Sequence, residues 1–261
     1  MTIIILTIIL ISLIFAPLGC ISLWKKYIYF GDGLSHASLL AGSISILAHL
    51  PVVYSGLVVA VIFAILVFTL KHRSGGSSVV MLISSFMLSL ALIVGYMYPL
   101  QIKITNLLFG DILSACLNDI LTLSIILIFV ISFVWYFYSQ IILIVINRDI
   151  AQIKGVKVRT IELAFLLLLS LSVFSTIKIV GALLVTSILL IPAMTARMIS
   201  SNPAQMIINS VIVALIVDFL GLVVSLYLDI PITPIITVIN TIVYCLFYII
   251  SRANKTGFFR L

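Results

Sequence analysis

Charge is what this sequence has least of. Aspartate, glutamate, lysine and arginine make up 8% of its 261 residues, against roughly a quarter in a soluble domain. Hydrophobic residues make up 64%. A water-soluble core of this length cannot hide so much apolar surface, so a soluble enzyme or binding module is excluded. Cysteine is scarce as well. Cys20, Cys116 and Cys245 are far apart and form no CxxC pair, which rules out a disulfide framework and leaves them as small apolar helix residues. Long basic runs are missing: no more than two basic residues are adjacent. The net charge of +7 therefore marks no nucleic-acid site. It is the expected by-product of keeping Lys and Arg in cytoplasmic loops.

Three catalytic signatures are absent too. No GxxxxGK[ST] loop occurs, so the chain cannot cradle ATP in that way. No HExxH and no GxSxG occurs, which counts against an intramembrane enzyme. The first twenty residues lack the basic n-region of a secretory signal and read as a retained first helix.

What is present is apolar length. Nine segments approach the roughly 17–25 residues that a bilayer span needs: 2–23, 29–50, 52–70, 79–98, 118–138, 161–177, 180–199, 205–228 and 234–250. Pro51, the KHRSGGSS turn, Pro99, Pro203, Pro231 and Pro234 mark breaks. The shortest break is drawn at Ile177–Lys178–Ile179, so eight spans with one broken helix is the alternative. The expected fold class is all-α: one transmembrane domain over residues 1–261, a polytopic bundle of eight to nine helices. With the N-terminus outside, alternation puts Lys25, Lys26, Lys71, Arg73, Arg148, Lys154, Lys157, Arg159, Arg197, Arg252, Lys255 and Arg260 inside, and only Lys103 and Lys178 outside. That bias favours this orientation and a cytoplasmic C-terminus.

The stretch YFGDGLSHASLLAG, from Tyr29 to Gly42, sets Asp32 and His36 in the second segment. Spacing i, i+4 puts both on one helix face. A rise of about 1.5 Å per residue from Lys26 would carry His36 about 15 Å into the bilayer. A carboxylate inserted there costs roughly 2.5–3.5 kcal/mol. Carboxylate oxygen and imidazole nitrogen are both ligands for a divalent transition metal, and two ligands make an open site that can release its ion. Gly31, Gly33, Ser35, Ala37, Ser38, Ala41 and Gly42 would let helices approach closely. Two alternatives stand beside this one. Asp32 could cap a helix that begins later, with His36 bonded to a neighbouring helix. A proton relay would use the same residue types.

With PLGCISLWKK before it, with NRDIAQIKGVKV, and with GALLVTSILLIPAMTARMIS over Gly181–Ser200, this stretch resembles ABC-type metal-ion permeases of the zinc, manganese and iron uptake family. The resemblance covers nearly the whole chain. SHASLLAG is more similar to the zinc members than to manganese members, which tend toward a VLPG ending. The resemblance implies a permease subunit in a bacterial plasma (inner) membrane. It implies a second copy of the chain, two cytoplasmic ATP-binding subunits and an extracytoplasmic metal-binding protein as partners, alongside the lipid bilayer. Zinc, or a related ion, would be transported substrate, with no permanent cofactor. ATP hydrolysis would belong to the partner, so the chain is not itself expected to be an enzyme. The GDxxSHA motif assigns metal ligation to Asp32 and His36. The turn after IPAMTAR assigns ATPase docking to Arg197, Ser200, Ser201, Asn202, Pro203, Ala204, Gln205 and Met206. Where relatives often read D-x-P-x-G, this chain reads Asp229–Ile–Pro231–Ile–Thr233, which weakens any role of Asp229 in an outer gate.

Asp218 in the eighth segment either pairs within the bundle or lines the path, with pairing favoured. His49, near the outer end of the second segment, is a further path candidate. The basic excursion Asn147–Glu162 reads as a solvated inner loop or as an ATPase contact. Pro192 is expected to kink its segment. The competing function is a proton-coupled metal carrier that needs no ATPase.

Overall fold

The computed structural model describes residues 2–49, 52–74, 76–97, 110, 112, 115–182 and 184–257. Pro99, Lys103 and most of the outer stretch 101–119, together with Phe258 and Phe259 of the tail, lie outside them. Among the described residues the architecture is all-helical. In chain order the helices are α1 Thr2–Trp24, α2 Phe30–Leu47, α3 Val52–Ser74, α4 Gly76–Met97, α5 Leu117–Ile146, α6 Arg148–Ile153, α7 Val158–Val180, α8 Val185–Ile199, α9 Pro203–Leu228 and α10 Ile232–Gly257.

Seven of these are long and apolar enough to cross a membrane: α1, α3, α4, α5, α7, α9 and α10. The α8 helix is apolar but has only 15 residues, about 22 Å. The 18 residues of α2 are diluted by Asp32, His36 and a set of serines and glycines. The chain is a multi-pass helical membrane bundle. Its helix surfaces follow from the solvent it meets: Leu82, Leu92, Ile128, Phe129, Ile212 and Leu246 point outward, as lipid-facing side chains do.

Helix ends follow local chemistry. The α1 helix stops in a Schellman turn: Tyr27 N donates to Ser22 O at 2.9 Å and Lys26 N to Leu23 O at 3.3 Å, with Lys26 left-handed at φ 60°. The α7 helix does not stop at Lys178, as the sequence pattern implied. It runs to Val180 and ends at Gly181, whose φ of 89° breaks the helical path. Lys178 lies in the last helical turn, where a cation suits the negative end of the helix dipole, and its ammonium reaches Asp119 of α5 at 3.1 Å. Pro192 sits inside α8, which remains one helix over its whole length.

α2 is central to the site. It packs most extensively on α4 and α3, and also touches α7 and α8. Its small residues make this possible. A Cβ placed on Gly33 would come within 2.7 Å of Val80 Cγ1 on α4 and 3.0 Å of Phe63 Cζ on α3. One placed on Gly31 would lie 3.0 Å from Thr186 Oγ1 on α8.

Candidate functional site

Asp32 is the third residue of α2 and His36 lies one turn further on. Asp32 is exposed and His36 partly exposed, while Gly31, Gly33, Leu34, Ser35, Ala37 and Ser38 around them are buried. The pair thus occupies the stripe of α2 that its neighbouring helices leave uncovered. Neither side chain has a hydrogen bond or ion pair among the described residues. The serines beside them are occupied: Ser35 Oγ donates to Gly31 O at 2.9 Å and Ser38 Oγ to Ser35 O at 2.6 Å.

The pair lies closer to the helix start than the sequence implied. Residues 25–29 form a break, so the rise begins at Phe30 and His36 is about 9 Å along the axis. Asp32 in the first turn also feels the positive end of the helix dipole, which stabilises a carboxylate there. Among the described residues no group of three His, Cys, Asp or Glu side chains could together hold a metal. Asp32 and His36 are two donors, and among the described residues one copy of the chain brings no third to them.

The break that carries Asp32 is clamped from below by a network that sequence reasoning missed. Glu162, at the start of α7, accepts from Lys25 at 2.9 Å through Oε1 and from Lys71 at 2.6 Å through Oε2. Arg148 of α6 approaches Oε2 at 3.5 Å. The side chains of Lys25, Lys71 and Glu162 are 6%, 7% and 8% exposed. Lys71 also donates to Tyr27 Oη at 3.1 Å. Burial lowers the Lys25 ammonium below its usual range, against the pull of Glu162. Burial first, then the Glu162 charge, push the Tyr27 phenol up. A signal existed: Glu162 is the chain's sole glutamate and heads an apolar run. An acid placed there requires a partner.

The remaining candidates are scattered. Asp218 is 2% exposed and accepts from Ser12 Oγ at 2.6 Å. It borders a space of about 10 Å³, which a hydrated ion could not traverse. Asp229 is exposed and caps α9 in a left-handed turn at φ 55°, its N–H bonded to Ser225 O. His49 is also exposed and left-handed, at φ 50°, beyond the end of α2 furthest from Asp32.

In the turn between α8 and α9, Ser201, Asn202, Pro203, Ala204 and Gln205 are exposed. Asn202 Oδ1 accepts from Gln205 N at 2.8 Å, and Gln205 Oε1 accepts from Ser201 N at 3.0 Å. Ser200 is partly exposed; its hydroxyl donates to Ala196 O at 2.6 Å and accepts from Asn209 Nδ2 at 2.9 Å. Met206 turns inward. It is 5% exposed, packed with Cys20, Ala193 and Ala196, and its Sδ accepts from Trp24 Nε1 at 3.2 Å. Its apolar side chain joins the core and presents nothing to a partner. Arg197 is exposed and lines a cleft of about 720 Å³ with Tyr244, Tyr248 and Arg252.

Comparison with known proteins gives a consistent set of matches. The family model of the ABC 3 transport family matches residues 1–251. The high-affinity zinc uptake system membrane protein ZnuB of Buchnera aphidicola subsp. Acyrthosiphon pisum is 34% identical over 237 residues, 89% of this chain and 90% of that protein. The protein of the same name from Haemophilus influenzae is 31% identical, covering 92% and 94%. Among solved structures, PsaBC from Streptococcus pneumoniae in complex with Fab has a similar fold. Its TM-score is 0.82 at 21% identity, over 95% of this chain and 90% of that one.

Proposed function

The chain belongs to the ABC 3 transport family, and from that premise we propose that it is the membrane-spanning permease subunit of an ATP-driven importer of zinc. The observation that carries this reading is the uncovered stripe of α2. A carboxylate without a partner among the described residues and an imidazole one turn apart, in a bundle otherwise faced with lipid-soluble side chains, call for a polar occupant. A divalent transition metal takes both donor types. The imidazole favours zinc over manganese, and the names of the relatives that are more than 30% identical favour zinc over both manganese and iron.

The chemistry follows from the donors. Zinc arriving from the outer side exchanges part of its water for an Asp32 oxygen and a His36 nitrogen. Two donors hold it loosely, and a second copy of the chain facing the same stripe would complete the coordination. Protons compete with the metal, because the ligating nitrogen must be free. Alternating access then releases the ion inward, driven by ATP hydrolysis on a cytoplasmic partner docked at Arg197 and the exposed turn Ser200–Gln205. The N-terminus is placed outside and the C-terminus in the cytoplasm of a bacterial inner membrane, following the distribution of Lys and Arg. An extracytoplasmic binding protein delivers the ion.

The test is metal uptake into proteoliposomes that hold this chain with its ATPase and binding protein. Zinc, manganese and iron are compared, with and without ATP. Zinc-selective, ATP-dependent uptake supports the reading. Uptake that ignores ATP replaces it with a proton-coupled carrier. A preference for manganese or iron keeps the importer and changes its cargo.

A further inference from the structure

Among the described residues Asp32 has no partner of its own, so its position is inherited from the break before it. That break is held at three points. Lys25 ends the α1 turn and reaches Glu162 Oε1 at 2.9 Å. Tyr27 accepts from Lys71 and sets its ring 6.3 Å from that of Phe165 on α7. Phe30, fully buried, meets Phe63 of α3 edge-on at 5.2 Å. Asp32 follows two residues later. Two of the three points lead to Glu162, directly or through Lys71. The same carboxylate is approached by Arg148 at 3.5 Å. Arg148 is 40% exposed and opens α6, in the polar excursion that interrupts the bundle between α5 and α7. One buried carboxylate therefore joins the exposed α6 segment to the turn that positions the candidate metal ligand.

We propose that Glu162 is a positioning residue for transport: it ties the Lys25–Phe30 break, and with it Asp32, to the exposed α6 segment, so that movement at one end moves the other. This rests on the importer reading above. The arrangement suits such a role. Two lysines and an arginine converge on one acid, so it has no single rigid mate and can trade one cation for another as helices shift. The contacts are also long-range, spanning 137 and 91 residues, and tie α3 and the end of α1 to α7. The shared carboxylate adds a charge that any displacement of α6 must drag along.

The experiment measures zinc uptake and ATP hydrolysis together in proteoliposomes containing the full transporter. Glu162→Gln is expected to lower the zinc taken up per ATP hydrolysed by roughly three- to thirtyfold, while hydrolysis continues. Glu162→Asp, which keeps the charge, should recover part of the ratio. Removing the acid strands two buried ammonium groups, which can prevent folding. Lys25→Met is therefore the second variant. It leaves Glu162 paired with Lys71 and Arg148, and it should lower the same ratio in the same direction. Uptake and hydrolysis falling in proportion in both variants, or ratios equal to wild type, would overturn the proposal and show a purely structural cluster. The wild-type arm separates the two levels: ATP-dependent uptake there with normally coupled variants sinks only the role of Glu162, whereas its absence sinks the importer reading itself.

Discussion

The Ser12 hydroxyl donates to Asp218 Oδ2 at 2.6 Å, joining α1 to α9 inside the bundle. Ser12 is fully buried and Asp218 nearly so. This contact supports a packing role for the acid. Asp218→Asn keeps its shape and an acceptor for Ser12. Uptake by that variant should stay within a few-fold of wild type. Asp218→Ala removes the acceptor and leaves a hole, at a cost of about 1–3 kcal/mol. Thermal unfolding in detergent reads the second effect. Loss of uptake in a stable Asp218→Asn protein would return the residue to the path.

Asp32→Ala and His36→Ala should each remove most zinc uptake while leaving folding unchanged, because neither side chain holds a neighbour among the described residues. Acidification should weaken zinc binding in wild type, since a proton on the ligating nitrogen excludes the metal. Zinc binding titrated by calorimetry at two pH values, with both variants as controls, checks this. Retained uptake in the double variant would remove the pair from the path.

Much of this was legible beforehand. An all-helical bundle follows from apolar runs of membrane length, and Asp32 and His36 stand out because polar residues are conspicuous in such runs. The α7–α8 boundary was not legible at Lys178. A lysine looks like a break until its partner Asp119, 59 residues away, is known. The Glu162 cluster was hidden for the same reason: its three cations looked like ordinary inner-loop charges, and only the packing of α1, α3, α6 and α7 brings them together. Met206 looked like part of an exposed turn, but its position one residue after Gln205 swings it onto Cys20 and Trp24.

Gly33 offers a test of how α2 is seated. Its hydrogen atoms face Val80 and Phe63 with less room than a methyl group needs. Gly33→Val would push α2 away from α3 and α4 and shift the Asp32 turn, although both metal donors remain. Overpacking of this kind costs about 1–3 kcal/mol. Uptake should fall with it, and zinc affinity should weaken along with stability. Wild-type affinity in a destabilised Gly33→Val protein would show that the α2 seat and the donor positions are independent.

The turn that opens α9 allows capping to be separated from docking. Asn202 accepts from Gln205 N and fixes the first turn of the helix, next to side chains that lie free at the surface. Asn202→Ala should lower stability by about 1 kcal/mol, as loss of an N-cap does. Asn202→Asp keeps the acceptor and places a negative charge at the positive end of the helix, so stability should be held. If the ATPase docks on this turn, Asn202→Asp should still change its association, because the added charge faces outward. Pull-down of the ATPase by the two variants, set beside their unfolding temperatures, tells the roles apart. Weaker capture with Asn202→Asp at unchanged stability marks the turn as a contact. Equal capture by both variants would move the docking surface elsewhere, with Arg148 and the α6 segment the next place to look.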